Sequence, residues 1–220
     1  MSTVTAIYTG PALVAPVKAY FSQQFPGHKI INVLDDGLIG QIIEAGKMTS
    51  PVLRQIYSYC REAADSGSDI ILQTCSSVGQ SVEYIQPFFD IPILRIDTPM
   101  SLEAVEKYKR IGVLATLPST LEPTMSLVNR MAAEKGLSVD VVNGLARGAF
   151  EELSAGNAEA HDRMILDTAM ALNDSCDVFL LAQGSMARMK DDLEKASGKP
   201  VLTSPESGVD ALASYLKEGV

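Results

Sequence analysis

The 220-residue chain is 46% hydrophobic and 20% charged, a balance that supports a packed core and argues against disorder. Its formal net charge is −9 and its pI is near 4.7, so phosphate backbones and anionic membrane surfaces repel it, and neither nucleic acid nor a membrane is expected as a partner. A small anionic substrate remains compatible, because backbone N–H groups at helix starts hold anions locally.

The opening, MSTVTAIYTG, has no basic segment and no long apolar run, so no secretory leader is expected. No stretch reaches the roughly 18 apolar residues of a membrane-spanning helix. A cytoplasmic protein is the expectation. Short apolar runs then alternate with helical patterns. TAIYT, KIINVL, DIILQT, IPILRI, RIGVLA, SVDVVN, DVFLLA and KPVLTS read as strands. PVLRQIYSYCREAADSG and NAEAHDRMILDTAMALNDS, with apolar residues three and four apart, read as helices. The alternation predicts an α/β fold of mainly parallel strands, each sheet flanked by helices. A final helix is expected over ESGVDALASYLKEG, packing back on the first part of the chain.

The chain also repeats itself. DIILQTCSS and DVFLLAQGS open on Asp69 and Asp177, 108 residues apart. The next strands carry Pro92 and Pro200, and the earlier ones end at Asp35 and Asn143, both pairs again 108 apart. One register at three landmarks predicts two copies of one supersecondary unit, against the alternative of chance. Two pseudo-symmetric α/β lobes are expected, residues 1–97 with 205–220 and residues 98–204, with an active site in the cleft between them.

Ligands of parallel α/β sheets bind beyond the carboxyl ends of the strands. There the sequence places Thr9, Gly10, Asp35, Asp36, Thr74, Cys75, Ser76, Ser77, Thr116, Ser119, Thr120, Asn143, Gln183, Gly184, Ser185, Thr203 and Ser204. Hydroxyls, amides and small residues suit a carboxylate held by neutral donors; equally, Ser and Thr there serve as helix N-caps. Among three cysteines, Cys60 sits mid-helix and Cys176 starts a strand, far from its carboxyl end. Cys75 ends a strand among polar neighbours and precedes the helical pattern SSVGQSVEYIQPF, a placement that favours a reactive thiolate. An odd cysteine count without metal spacing, two isolated histidines (His28 and His161) and the absence of a P-loop or strand-linked GxGxxG predict no disulfide framework, no metal and no nucleotide cofactor.

QTCSS resembles the first cysteine motif of the aspartate/glutamate racemase superfamily, in which Asn-Thr and a small residue follow the catalytic cysteine. IGVLATLPST, residues 111–120, is similar to the strand that opens that family's second lobe, and DVFLLAQGSM, residues 177–186, resembles its second cysteine motif, usually Leu-Gly-Cys-Thr-His. The superfamily includes hydantoin racemases, maleate isomerases and arylmalonate decarboxylases. The resemblance implies a cofactor-independent enzyme of two α/β lobes, a homo-oligomer, acting on a carbon acid of a small carboxylate. Cys75 is implied as acid/base, with substrate held by Thr9, Gly10, Thr74, Ser76, Ser77, Thr116, Ser119, Thr120, Gly184 and Ser185.

The departures bear on the reaction. The repeat places Gln183 opposite Cys75 in sequence, where the family has its second thiol, and an amide does not exchange a proton at neutral pH. Ser76-Ser77 replaces Asn-Thr, and Tyr8-Thr9-Gly10-Pro11 replaces the Asp-Ser-Gly opening of glutamate racemases. A racemase or isomerase is the leading expectation, with a one-cysteine decarboxylase or lyase and a non-catalytic carboxylate-binding protein as alternatives. A Cys–His hydrolase would require an imidazole beside Cys75; His28 precedes the second strand, and His161 is expected on a solvated or half-buried helix face. Arg147 is read either as a surface ion-pair former or as a second carboxylate's partner in the cleft.

Overall fold

The computed structural model describes residues 1–216 and divides into two compact units, Met1–Thr98 with the chain from Pro205 onward, and Pro99–Ser204. The first unit contains β1 (Thr3–Tyr8), α1 (Val14–Gln24), β2 (Lys29–Leu34), α2 (Gly37–Ala45), α3 (Ser50–Asp65), β3 (Ile70–Gln73), α4 (Ser81–Ile85) and β4 (Ile93–Arg95). The second contains α5 (Thr98–Lys107), β5 (Arg110–Ala115), α6 (Pro118–Glu134), β6 (Asp140–Leu145), α7 (Ala149–Ser154), α8 (Ala158–Ala171), β7 (Val178–Leu181), α9 (Lys190–Ser197) and β8 (Val201–Thr203). The chain then enters α10 (Ser204–Asp210) and returns to the first unit.

Each unit holds one four-stranded parallel sheet, ordered β2-β1-β3-β4 and β6-β5-β7-β8. The inner strands are the apolar ones: every residue of β3 and β7 is buried, whereas β2 is at most half-buried along its length. Burying one Ile or Leu side chain stabilises by about 1.5–3 kcal/mol, so a strand such as IILQ is driven into the middle of its sheet. Helices cover the faces with apolar stripes. In α3, Pro51 in the first turn and buried Val52, Ile56, Cys60 and Ala63 fix one inward face. Its end is followed by Gly67 at φ 86°, a left-handed position that glycine takes without strain.

The repeat has a physical basis at two of its three landmarks. The Asp69 carboxylate accepts the backbone N–H of Thr3 at 2.9 Å, and the Asp177 carboxylate that of Arg110 at 2.9 Å, so each closes the amino end of a central strand. The carbonyls of Pro92 and Pro200 both accept from the neighbouring strand at 3.0 Å. The third landmark fails. Tyr8 pairs with Leu34 and Ala115 with Leu145, so Asp35 corresponds to Ala146, and Asn143 lies inside β6. Gly144 looks like a strand end in sequence. A Cβ there would lie 2.6 Å from Leu114 Cδ2 and 2.7 Å from the Val113 carbonyl, so glycine is what lets β6 run on against β5.

The last helix is shorter than expected. α10 ends at Asp210 and a 3-10 turn follows over Ala211–Ser214; residues 217–219 of the expected helix lie outside the described residues. Val209 and Leu212 are fully buried with Val4, Ala6, Tyr8 and Ile96 in the first unit's core.

Candidate active site

At the carboxyl edge of the first sheet, β3 hands over to a turn rather than to a regular helix. Thr74 N–H donates to the Ile7 carbonyl at 3.1 Å, continuing the β1–β3 ladder by one bond. Cys75 follows with φ −116° and ψ 120°, then a single 3-10 turn over Ser76–Val78, then the five residues of α4 and another 3-10 turn over Gln86–Phe88. The long helix expected over SSVGQSVEYIQPF is broken into three pieces. The backbone N–H of Cys75 donates to Gln73 Oε1 at 3.3 Å. Cys75 itself is half-buried and packs on the apolar cluster of Ile7, Ile71 and Val78, while Ser76 and Ser77 are buried at its side.

The second sheet makes the same turn with different side chains. Gln183 has φ −110° and ψ 125° and precedes the 3-10 segment Gly184–Met189. Met186 N–H closes on the Gln183 carbonyl at 2.9 Å, as Val78 N–H closes on that of Cys75 at 3.2 Å. Gln183 Oε1 accepts both the N–H of Thr116 at 2.7 Å and its hydroxyl at 3.0 Å. With its oxygen held twice, the side chain offers its NH₂ and cannot turn round to offer an acceptor.

The sequence-derived residues therefore fall into two sets. Thr9, Gly10, Thr74, Cys75, Ser76 and Ser77 lie at the carboxyl edge of the first sheet, and Thr116, Ser119, Thr120, Gln183, Gly184 and Ser185 at that of the second. The Thr74 hydroxyl donates to the Ile7 carbonyl at 2.8 Å and so stitches strands together. Ser119 Oγ is buried without a hydrogen-bond partner among the described residues. The capping alternative fails for the starts where caps are seen: Gly10, Cys75, Leu117 and Gln183 cap their segments without a side-chain bond, and the capping side chain is that of Asn157, at α8. Asp35 accepts from Tyr59 Oη at 2.7 Å and from Gly37 N–H at 3.0 Å.

The other cysteines are packing groups. Cys60 and Cys176 are buried. Burial pushes the Cys60 thiol up to about 12 and raises that of Cys176. His161 corrects the expectation of a solvated or half-buried face: it is 3% exposed, with Nδ1 2.7 Å from Asp162 Oδ1, and the Arg188 guanidinium bonds Asp162 and holds that carboxyl below the usual range. His28 Nδ1 accepts the Ser2 N–H, at the amino end of β1. Arg147 is exposed and has no ion pair among the described residues, so the surface salt bridge expected for it is not formed. No three His, Cys, Asp or Glu among the described residues gather as a metal site, and no described helix is long and apolar enough to cross a membrane.

A sequence model of the family described as Asp/Glu/Hydantoin racemase matches residues 8–212. The chain belongs to this family. Solved structures agree on the fold. Glutamate racemase from Francisella tularensis subsp. tularensis SCHU S4, in complex with D-glutamate, superposes with a TM-score of 0.78 at 13% identity, over 100% of this chain and 84% of that one. Picrophilus torridus aspartate racemase gives 0.75 at 16% identity, over 97% of this chain and 94% of its own. Unliganded arylmalonate decarboxylase gives 0.58 at 15% identity, over 100% and 95%. A comparison with curated protein sequences finds no match.

One group of functional interest was missed from sequence. Buried Arg95 and Asp97 form an ion-paired cluster with half-buried Glu83 behind the Cys75 turn, beside buried Gln73. Its signal was an arginine at the end of an apolar strand with an aspartate two residues on, on the same face: IPILRID.

Proposed function

We propose that the chain is a cofactor-independent enzyme that acts on a carbon acid of a small carboxylate, of racemase or isomerase type, with Cys75 as its acid/base. The observation that carries this reading is a half-buried thiol on a strand-to-turn junction of a racemase-family sheet, with its backbone N–H and side-chain environment fixed. The glutamate and aspartate racemases that share this fold supply the substrate class. In this reading the thiolate takes a proton from the carbon next to a carboxylate and returns it. The charge that develops on the carboxylate oxygens is met by N–H and O–H donors at the same sheet edge, those of Thr9, Gly10, Ser76 and Ser77.

Gln183 favours a second reading. Inversion requires a proton group for each face of the substrate carbon, and the residue equivalent to Cys75 is an amide with its oxygen anchored to Thr116. A one-thiol reaction fits that pair: the substrate C–C bond breaks, carbon dioxide leaves, and the enediolate takes the Cys75 proton, which water then restores.

The test is NMR in D₂O with a panel of amino acids, hydroxy acids, maleate and substituted malonates, for the protein and for Cys75→Ala. Deuterium at a substrate carbon only with Cys75 present supports the proposal, and its product separates inversion or double-bond migration from loss of a carboxylate. Exchange retained in Cys75→Ala overturns the role of the thiol. Binding of these acids with no exchange favours the carboxylate-binding alternative.

A further inference from the structure

The charged cluster behind the Cys75 turn has no part in the chemistry above. Arg95 ends β4 and is 7% exposed, and Asp97 is 1% exposed. The guanidinium donates from Nε to Asp97 Oδ1 at 3.0 Å, from Nη2 to Asp97 Oδ2 at 3.0 Å, and from Nη1 to Glu83 Oε1 at 2.9 Å. Burial works against its charge, and the two carboxylates outweigh that and raise its pKa. The cluster grips the turn through Gly79. A Cβ built there would lie 2.6 Å from Arg95 Cζ and Nη2, so the guanidinium occupies the space of a side chain, and its carboxylate partners keep it there. Gly79 N–H bonds the Ser76 carbonyl at 3.1 Å. On the other side of the turn, Gln73, the β3 partner of Arg95 in register, holds the Cys75 N–H.

The molecule contains its own control. In the second unit Gln183 enters a 3-10 turn with nearly the backbone angles of Cys75, yet the residues 108 positions on are uncharged or outside. Leu181 stands for Gln73 and Thr203 for Arg95, again paired in register. Ala187 stands for Gly79, and Asp191, exposed, for Glu83; Pro205 stands for Asp97. The turn therefore does not need buried charge in order to form. Buried ion pairs are seldom the most stable way to fill a core, and here one accompanies the thiol and is absent behind the amide.

We infer that Arg95 is a positioning residue for Cys75: locked by Asp97 and Glu83, it seats Gly79 and so fixes the 75–79 turn. The inference deepens the reading of Cys75 as the reactive group and rests on it.

The experiment is timed alkylation of the folded full-length protein with iodoacetamide at pH 7.5, read by peptide mass mapping. Cys60 and Cys176, both buried, serve as internal reporters of unfolding. In Arg95→Met, Cys75 labelling rises by about threefold or more, because the turn that half-buries the thiol loses the guanidinium seating Gly79, while Cys60 and Cys176 stay unlabelled. Arg95→Lys brings the rate most of the way back. Should Arg95→Met unfold, with all three cysteines labelled together, Glu83→Gln decides, since it keeps the Arg95–Asp97 pair. There Cys75 labelling rises at least about twofold, as the guanidinium loses one of its two carboxylate anchors. A Cys75 rate unchanged in the folded variant, with only the melting temperature lowered, overturns the inference and leaves the cluster a structural one. Failure of the functional reading looks different: Cys75→Ala retains substrate exchange, whatever the labelling ratios.

Discussion

The two units share strand order, register and the backbone entry into the turn after the third strand, and differ in what lies on and behind that turn. The first carries a thiol backed by a buried arginine and its carboxylates; the second carries an amide whose oxygen is tied to Thr116 and whose backing is neutral. The difference teaches that the repeated backbone provides a position and leaves the chemistry to a handful of side chains. A junction at the carboxyl edge of a parallel sheet is available in both halves, and it carries a thiol in one and an amide in the other.

Substitutions made in pairs sharpen or break this contrast. The largest effect is expected from the charges. Arg95→Met takes the guanidinium away from buried Asp97 and half-buried Glu83 and should cost about 3–5 kcal/mol, whereas Asp191→Asn, at the exposed counterpart of Glu83, should stay within about 0.5 kcal/mol. Denaturant melts of both variants measure this, and equal costs would erase the asymmetry. The next effect lies at the glycine seat. Gly79→Ala forces its methyl group into the pinned guanidinium and should cost about 1–3 kcal/mol, while the reverse change, Ala187→Gly, should cost about 0.5–1 kcal/mol through backbone entropy alone. Thermal melts that rank these two the other way would show that Arg95 moves aside freely.

The smallest effect belongs to the strand-closing aspartates. Hydrogen bonds from the Arg110 side chain and backbone hold the Asp177 carboxyl below its usual range, whereas Thr3 occupies the place of Arg110 in the first unit. A depressed carboxyl contributes stability that is complete above its unfolded value of about 3.9 and is lost as pH falls below that value through the folded one. The pair is largely solvent-exposed, with side-chain exposures of 45% for Arg110 and 33% for Asp177, so the contribution is under about 1 kcal/mol and salt-sensitive. The melting-temperature gap between the parent protein and Asp177→Asn should therefore close on acidification below about pH 4. A gap that persists in strong acid or in high salt would assign Asp177 a purely geometric role.

The fold was legible because its signals are of long range and redundant. Eight apolar runs became eight strands, and Asp69 with Asp177, and Pro92 with Pro200, kept register because each does the same hydrogen-bonding work in both units. Asn143 misled because Gly144 reads as a break when seen alone, and only its approach to Leu114 and Val113 shows why the strand continues. The same blindness to neighbours affected the site. Cys75 was singled out by its strand end and polar neighbours and Gln183 by the repeat, but the packing of Gly79 against a guanidinium from β4, sixteen residues further on in the chain, is invisible in the local sequence. Likewise, the inward face of His161 depends on a carboxylate and an arginine from another segment.

The return of the chain to its first unit sets an order of events during synthesis. The core of Val4, Ala6, Tyr8 and Ile96 is closed by Val209 and Leu212, and Gly208 presses so closely that a Cβ there would lie 2.4 Å from the Ile96 carbonyl. The ribosome makes that core's strands first and its final layer last. At about 5–20 residues per second, the first half waits several seconds for its closing segment, while the continuous second half has its whole sequence as soon as Ser204 emerges. The half that carries the thiol is the first begun and the last completed.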